Sequence, residues 1–94
     1  MDLKGKNAII TGASKGIGKA IAVRLAQEGV NLILAARTQV TLDETINEIK
    51  KGAHGKVVGV PTDVSKLEDL QHLTNTALKQ FGTIDILIDR KSVV

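Results

Sequence analysis

Short apolar runs alternate along this chain with longer stretches in which apolar residues recur every three or four positions. Asn7 to Thr11 (Asn-Ala-Ile-Ile-Thr), led in by polar Lys4-Gly5-Lys6, is the first such run and predicts a strand. Gly16 to Glu28 predicts a helix, because Ile17, Ile21 and Leu25 share a stripe and Gly29 supplies a stop. Asn31 to Ala36 is apolar almost throughout, as a parallel strand covered on both faces should be. A second helix is predicted from about Val40 to Lys51, with Leu42, Ile46 and Ile49 on one stripe and Gly52 at its end. Lys56 to Val60 predicts a third strand, closed by Pro61. Ser65 reads as the N-cap of a third helix, with Glu68 three residues on completing a capping box. That helix is expected to turn Leu67, Leu70, Leu73, Ala77, Leu78 and Phe81 inward and to stop at Gly82, before a fourth strand begins over Ile84 to Ile88.

The order βαβαβαβ implies right-handed crossovers and an α/β fold. It reads as the N-terminal part of a doubly wound parallel Rossmann sheet, incomplete, with strands in the order 3-2-1-4. No repeat or linker interrupts residues 1–88, which are expected to form one unit that ends in mid-sheet. A chain of 94 residues buries only about 60–65% of its unfolded surface, so its stability margin is thin. A half-sheet also leaves strand four as a bare edge. The chain expressed alone is therefore expected to aggregate or to fold only in part.

Composition narrows the function classes. The 43% apolar and 24% charged fractions are those of a globular protein. The absence of cysteine excludes disulfides and thiolate metal sites and suits a reducing compartment. His54 and His72 have no companion at ligand spacing, so no metal site is expected. Nothing near the N-terminus resembles a signal peptide and no stretch reaches membrane-spanning length, so the expectation is a cytoplasmic protein without membrane attachment. The net charge of +3 is spread along the chain, with no basic block and no aromatic interleaving, which argues against a nucleic-acid partner.

The candidate chemistry lies at Thr11-Gly12-Ala13-Ser14-Lys15-Gly16-Ile17-Gly18, between the first strand and the first helix. Strand, glycine-rich turn and helix together direct backbone N–H groups and a helix N-terminus at a pyrophosphate. Gly12 permits the tight turn, Gly16 lets phosphates approach the backbone, and Gly18 lets helix and strand pack closely. A Walker-type loop is excluded, because Lys19 is followed by Ala20 and position 13 is not glycine. Ser14 suits a hydrogen bond near phosphates better than a nucleophile's role, since no His/Asp partner is evident.

Gly12-xxx-Gly16-x-Gly18 with Thr11 before it, Asp63-Val64 after the third strand, and Phe81-Gly82-Thr83-Ile84-Asp85-Ile86-Leu87-Ile88 together resemble the classical short-chain dehydrogenases/reductases. The resemblance covers Met1 to Ile88 and implies a dinucleotide cofactor. In NAD-preferring members an acid ends the second strand; here Ala36 stands at that position, followed by Arg37. Arg37 can grip a 2′-phosphate, and Lys15 can approach it from the glycine-rich turn, so NADP(H) is expected over NAD(H). The resemblance further implies that Ile17 belongs to the cofactor-binding turn, that Asp63 accepts from the adenine amino group, that Val64 lines the adenine pocket and that Asp85 is structural. The opening Gly5-Lys6-Asn7-Ala8-Ile9-Ile10-Thr11-Gly12 is most similar to bacterial 3-oxoacyl-acyl-carrier-protein reductases. A parent enzyme of this kind would act on a small carbonyl or alcohol substrate as a homo-oligomer, although the usual interface helices are absent here.

After Ile88 the family pattern calls for Asn-Asn-Ala-Gly, whereas this chain reads Asp89-Arg90-Lys91-Ser92-Val93-Val94. The codons GAT CGG AAG AGC GTC GTG TAG encode that string and a stop, and they match a widely used sequencing adapter. Residues 89–94 are accordingly expected to be adapter read-through. The family's catalytic Ser is due later, and its Tyr-xxx-Lys cannot be present because the chain holds no tyrosine. No catalytic residue is therefore assigned, and the 94 residues are expected to be inactive. A non-catalytic nucleotide-binding module and a non-functional gene fragment remain as alternatives.

Overall fold

The computed structural model describes residues 3–12 and 16–88. Four strands and three helices alternate: β1 (Asn7–Thr11), α1 (Gly16–Gln27), β2 (Asn31–Ala36), α2 (Gln39–Lys50), β3 (Val57–Pro61), α3 (Leu67–Phe81) and β4 (Ile86–Ile88). The sheet is parallel in the order β3-β2-β1-β4. β1 pairs with β2 from Asn7↔Asn31 to Thr11↔Ala35, and β2 with β3 from Leu32↔Val57 to Ala36↔Pro61. Pro61 is tolerated because β3 is an edge strand and can do without one ladder N–H.

Strand alternation divides the core between the two faces. Ala8, Ile10, Leu32, Leu34 and Ala36 point to the α1 and α2 side, where Ala22, Ala26, Leu42 and Ile49 meet them. Ile9, Ile33, Ala35 and Val60 point the other way, against Leu73 and Ala77 of α3. Gly18 is buried in line with Ala22 and Ala26 on α1, a row of small side chains that suits close packing of helix on sheet. Lys19 of α1 pairs with Glu48 of α2, and the lysine's hydrogen bond and charge hold the Glu48 carboxyl below the usual range.

Two expectations for the third helix are corrected. The capping box at Ser65 and Glu68 does not form: α3 begins one residue later, on Lys66 as N-cap, with no side-chain cap bond. Ser65 instead donates from both its amide and its hydroxyl to Asp63 Oδ1, at 3.0 and 2.6 Å. The inward set on α3 is also narrower than expected. Leu73 and Ala77 are buried, but Leu67 and Leu78 are 69% and 45% exposed. At 3.6 residues per turn those two lie roughly 100–120° further round the helix than the Leu73–Ala77 line. One sheet face does not reach that far.

β4 starts at Ile86, two residues after the expected Ile84, and the cause lies in Asp85. Its amide donates to the Asn7 carbonyl (2.8 Å), but its carboxylate Oδ2 takes the Asn7 N–H (2.9 Å) in place of a strand carbonyl. Regular pairing resumes only with Ala8↔Ile86. Asn7 also anchors a row of side-chain bonds along this end of the sheet. Its Nδ2 donates to Thr83 Oγ1 (3.1 Å), Asn31 Nδ2 donates to Asn7 Oδ1 (3.0 Å), and the Lys56 amide donates to Asn31 Oδ1 (2.9 Å).

Candidate functional site

Parallel strands all deliver their C-terminal ends to one edge of the sheet, and there the loops after β1, β2 and β3 are tied together. The Gly12 amide donates to the Ala35 carbonyl (3.0 Å), which carries the β1–β2 ladder one residue into the glycine-rich turn. The Thr62 amide donates to the Ala36 carbonyl (2.8 Å), and its hydroxyl returns to the Val60 carbonyl (2.9 Å). An ion pair spans the same gap, with Arg37 Nη2 3.8 Å from Asp63 Oδ2.

Gly12 and Gly16 bracket the turn with φ of +64° and +52°, a region in which a side chain would be strained. Apart from its chain neighbours and its own helix backbone, a Cβ on Gly16 would meet nothing within 4 Å among the described residues. The first amides of α1 have no partner within the helix and carry its positive dipole end. Because Gly12 spends its own N–H on Ala35, the donors left to an anion among the described residues of this turn are those of the first turn of α1. Ile17 stands 62% exposed beside them. The Ser14 and Lys15 expectations, like the expectation for the tail 89–94, lie outside the described residues.

At the end of β2, Ala36 is buried and Arg37 begins the exposed loop, with 79% of its side chain in solvent. No carboxylate stands on β2 itself; Asp63 faces Arg37 across the gap, from the β3 loop. Hydrogen bonds from the Ser65 hydroxyl and amide, with the Arg37 charge behind them, hold the Asp63 carboxyl below the usual aspartate range. Asp63 is ionised at neutral pH, its Oδ1 doubly occupied and its Oδ2 facing Arg37. Val64 beside it is 47% exposed. A helix N-terminus, a solvent-facing guanidinium and a fixed carboxylate lie along one edge: two groups that attract anions and one that accepts hydrogen bonds.

Three residues of this edge escaped the sequence reading. Thr62 holds the β3 loop to β2. Ser65 orients the Asp63 carboxylate. Asp69, on the first turn of α3, accepts the Asp63 amide at 2.8 Å through Oδ2. The signal for Asp69 was present as an acid at the third helical position, but it was masked by Glu68 at the capping-box spacing from Ser65. No group of three or more His, Cys, Asp or Glu among the described residues could hold a metal ion. None of the described helices is long and apolar enough to cross a membrane.

Comparison with known proteins places these features among relatives. A family model described as short chain dehydrogenase matches residues 6–91. Glucose 1-dehydrogenase 2 of Bacillus subtilis is 48% identical over 89 residues, covering 94% of this chain and 34% of its own. The structure of L-sorbose reductase from Gluconobacter frateurii, complexed with NADPH and L-sorbose, superposes with a TM-score of 0.92 at 36% identity, over 99% of this chain and 36% of that one. The 3-ketoacyl-(acyl-carrier-protein) reductase of Brucella melitensis, complexed with NADH, gives 0.81 at 34% identity, over 90% of this chain and 33% of that one. The chain thus spans about a third of the length of the relatives it matches.

Proposed function

The chain belongs to the short-chain dehydrogenase family, and from that premise we propose that residues 1–88 are the NADP(H)-binding portion of a longer oxidoreductase acting on a small carbonyl compound or its alcohol. The observation that carries the cofactor assignment is Arg37. Its guanidinium is exposed at the end of β2, where Ala36 offers no carboxylate to repel a 2′-phosphate. Gly12 and Gly18 shape the turn and its packing, Gly16 lets the pyrophosphate approach the backbone beside Ser14 and Ile17, and Lys15 joins Arg37 at the 2′-phosphate. Asp63 accepts from the adenine amino group and Val64 lines the base. When bound, the cofactor would give a hydride to a carbonyl or take one from its alcohol. What these residues do is bind and orient it.

No tyrosine occurs in the 94 residues, so the proton donor and the substrate pocket belong to the remainder of the parent enzyme. The 94 residues alone bind cofactor at most. A 3-oxoacyl thioester is one member of the proposed substrate class, and a cytoplasmic homo-oligomer is the form we assign to the parent. Residues 89–94 we assign to adapter read-through; resequencing the locus across the junction tests this, and a genomic stop after Val94 would overturn it.

Fluorescence titration of the full-length parent with NADPH and NADH tests the cofactor assignment. One charge-assisted phosphate contact on an exposed guanidinium contributes about 1–2 kcal/mol, or roughly five- to thirtyfold in affinity. NADPH should therefore bind at least fivefold tighter than NADH, and Arg37→Ala should remove most of the difference while leaving NADH affinity unchanged. Equal binding of the two cofactors by the unaltered protein would refute the assignment.

A further inference from the structure

We infer that Asp69 is a positioning residue that sets the Asp63 carboxylate for recognition of a 6-amino purine. The inference rests on the reading of Asp63 as the acceptor for the adenine amino group. Residue 63 is clamped at every polar atom but one. Its N–H donates to Asp69 Oδ2 (2.8 Å), its carbonyl accepts from the Lys66 amide (3.0 Å), and its Oδ1 accepts the Ser65 amide and hydroxyl. Only Oδ2 keeps open acceptor capacity, with Arg37 Nη2 no closer than 3.8 Å and about a quarter of the side chain reached by solvent.

The direction of that oxygen is set by the backbone of residue 63, and the backbone is held by Asp69. Of the two acids in the first turn of α3, Glu68 and Asp69, Asp69 is the one that reaches back across six residues to the loop. A carboxylate in the first turn of a helix also faces the positive end of the helix dipole, which favours an acid at that place. The Ser65 bonds fix the carboxylate within its own turn. The Asp69 bond fixes that turn against α3, and α3 is anchored on the sheet by Leu73 and Ala77. Asp69 thus transmits the position of a packed helix to an exposed acceptor.

The test is the ratio of dissociation constants for NADPH and its deamino analogue, in which hypoxanthine replaces adenine, measured on the full-length parent by fluorescence titration. Hypoxanthine presents an oxygen where adenine presents the amino group, so an ordered Asp63 Oδ2 should favour NADPH by about tenfold. Asp69→Ala should cut that preference to about threefold or less. Asp69→Ser, one bond shorter and well suited to a helix first turn, should do the same and serves if Asp69→Ala does not fold. Removing a carboxylate also changes the attraction for a polyanion, but equally for both ligands, so the ratio reads the placement of Asp63 alone. An unaltered preference in a folded Asp69 variant overturns the inference and leaves the Asp63 reading standing. No preference in the unaltered protein overturns the Asp63 reading, and the inference with it.

Discussion

Replacing Asn7 by alanine should cost the fold about 2–3 kcal/mol, and the structure shows where the loss arises. The Asn7 amide and carbonyl are paired with Asp85 through the backbone and the Asp85 carboxylate, and both bonds survive the substitution. What disappears is the side chain, 8% exposed as part of the residue, with two good bonds: Nδ2 to Thr83 Oγ1 at 3.1 Å and Oδ1 from Asn31 Nδ2 at 3.0 Å. A third contact, Nδ2 to the Phe81 carbonyl at 3.5 Å, is long enough to count for little. Each good bond contributes about 1 kcal/mol net, and the half-buried Asn31 amide left without its acceptor adds up to about 1 more. Thr83 is exposed and regains water. In a protein of about 150–250 residues each kcal/mol moves the melting temperature by about 2–4 °C. Thermal and urea unfolding of the full-length parent should show a fall of roughly 4–12 °C for Asn7→Ala. Asn47→Ala, on the exposed side of α2, should stay within about 0.5 kcal/mol of the parent. The double variant Asn7→Ala/Asn31→Ala should fall short of the sum of the singles by about 1 kcal/mol, because the bond between them is lost only once. A melting temperature within 1–2 °C of the parent, or strict additivity, would refute the claim that this row of side chains ties the sheet together.

Other expectations follow from the packing and the charges. A Cβ at Gly59 would run into Ile46 Cδ1 and stand 3.0 Å from Leu42 Cγ. Gly59→Ala should therefore destabilise the parent by about 1–3 kcal/mol in urea unfolding, and a neutral result would mean that α2 yields freely. The folded state lowers the Asp63 carboxyl pKa, so its stabilising contribution is complete above the ordinary aspartate range and is lost as pH falls through that range towards the lowered value. Melting temperature should thus drop more steeply below about pH 4 in the parent than in Asp63→Asn; parallel curves would contradict the assignment. The 94-residue chain alone leaves Leu87 of the β4 edge 67% exposed and Leu78 of α3 45% exposed. Light scattering of that chain should report association, and a sharp, reversible monomeric transition would count against it.

Strand and helix identity was legible in the residues because each element announces itself locally. Asn31–Ala36 is apolar at every position after the first, as expected of a doubly covered strand, and Leu42, Ile46 and Ile49 mark the inner stripe of α2. The parallel sheet followed from alternation and from the handedness of crossovers, and its order 3-2-1-4 is the one expected of a dinucleotide-binding fold. The positions of Gly12, Gly16 and Arg37 at one sheet edge followed from the same rule, since every loop after a parallel strand emerges there. Helix caps were less legible. Ser65 and Glu68 satisfy the spacing of a capping box, yet Asp63 outcompetes the helix for the serine, because an ionised acceptor two residues away makes two bonds to it.

From sequence alone came the fold class, the order of elements, the glycine-rich turn and the absence of an acid at Ala36, all properties of short segments read one at a time. Tertiary structure decided the rest by bringing distant groups within bonding range. Asn7 meets Asp85 across 78 positions and Asn31 across 24, and Arg37 faces Asp63 only because β2 and β3 lie side by side. Local periodicity depends on which residues are apolar. Hydrogen bonds and ion pairs depend on ångström distances between loops, and those distances exist only once the sheet has formed.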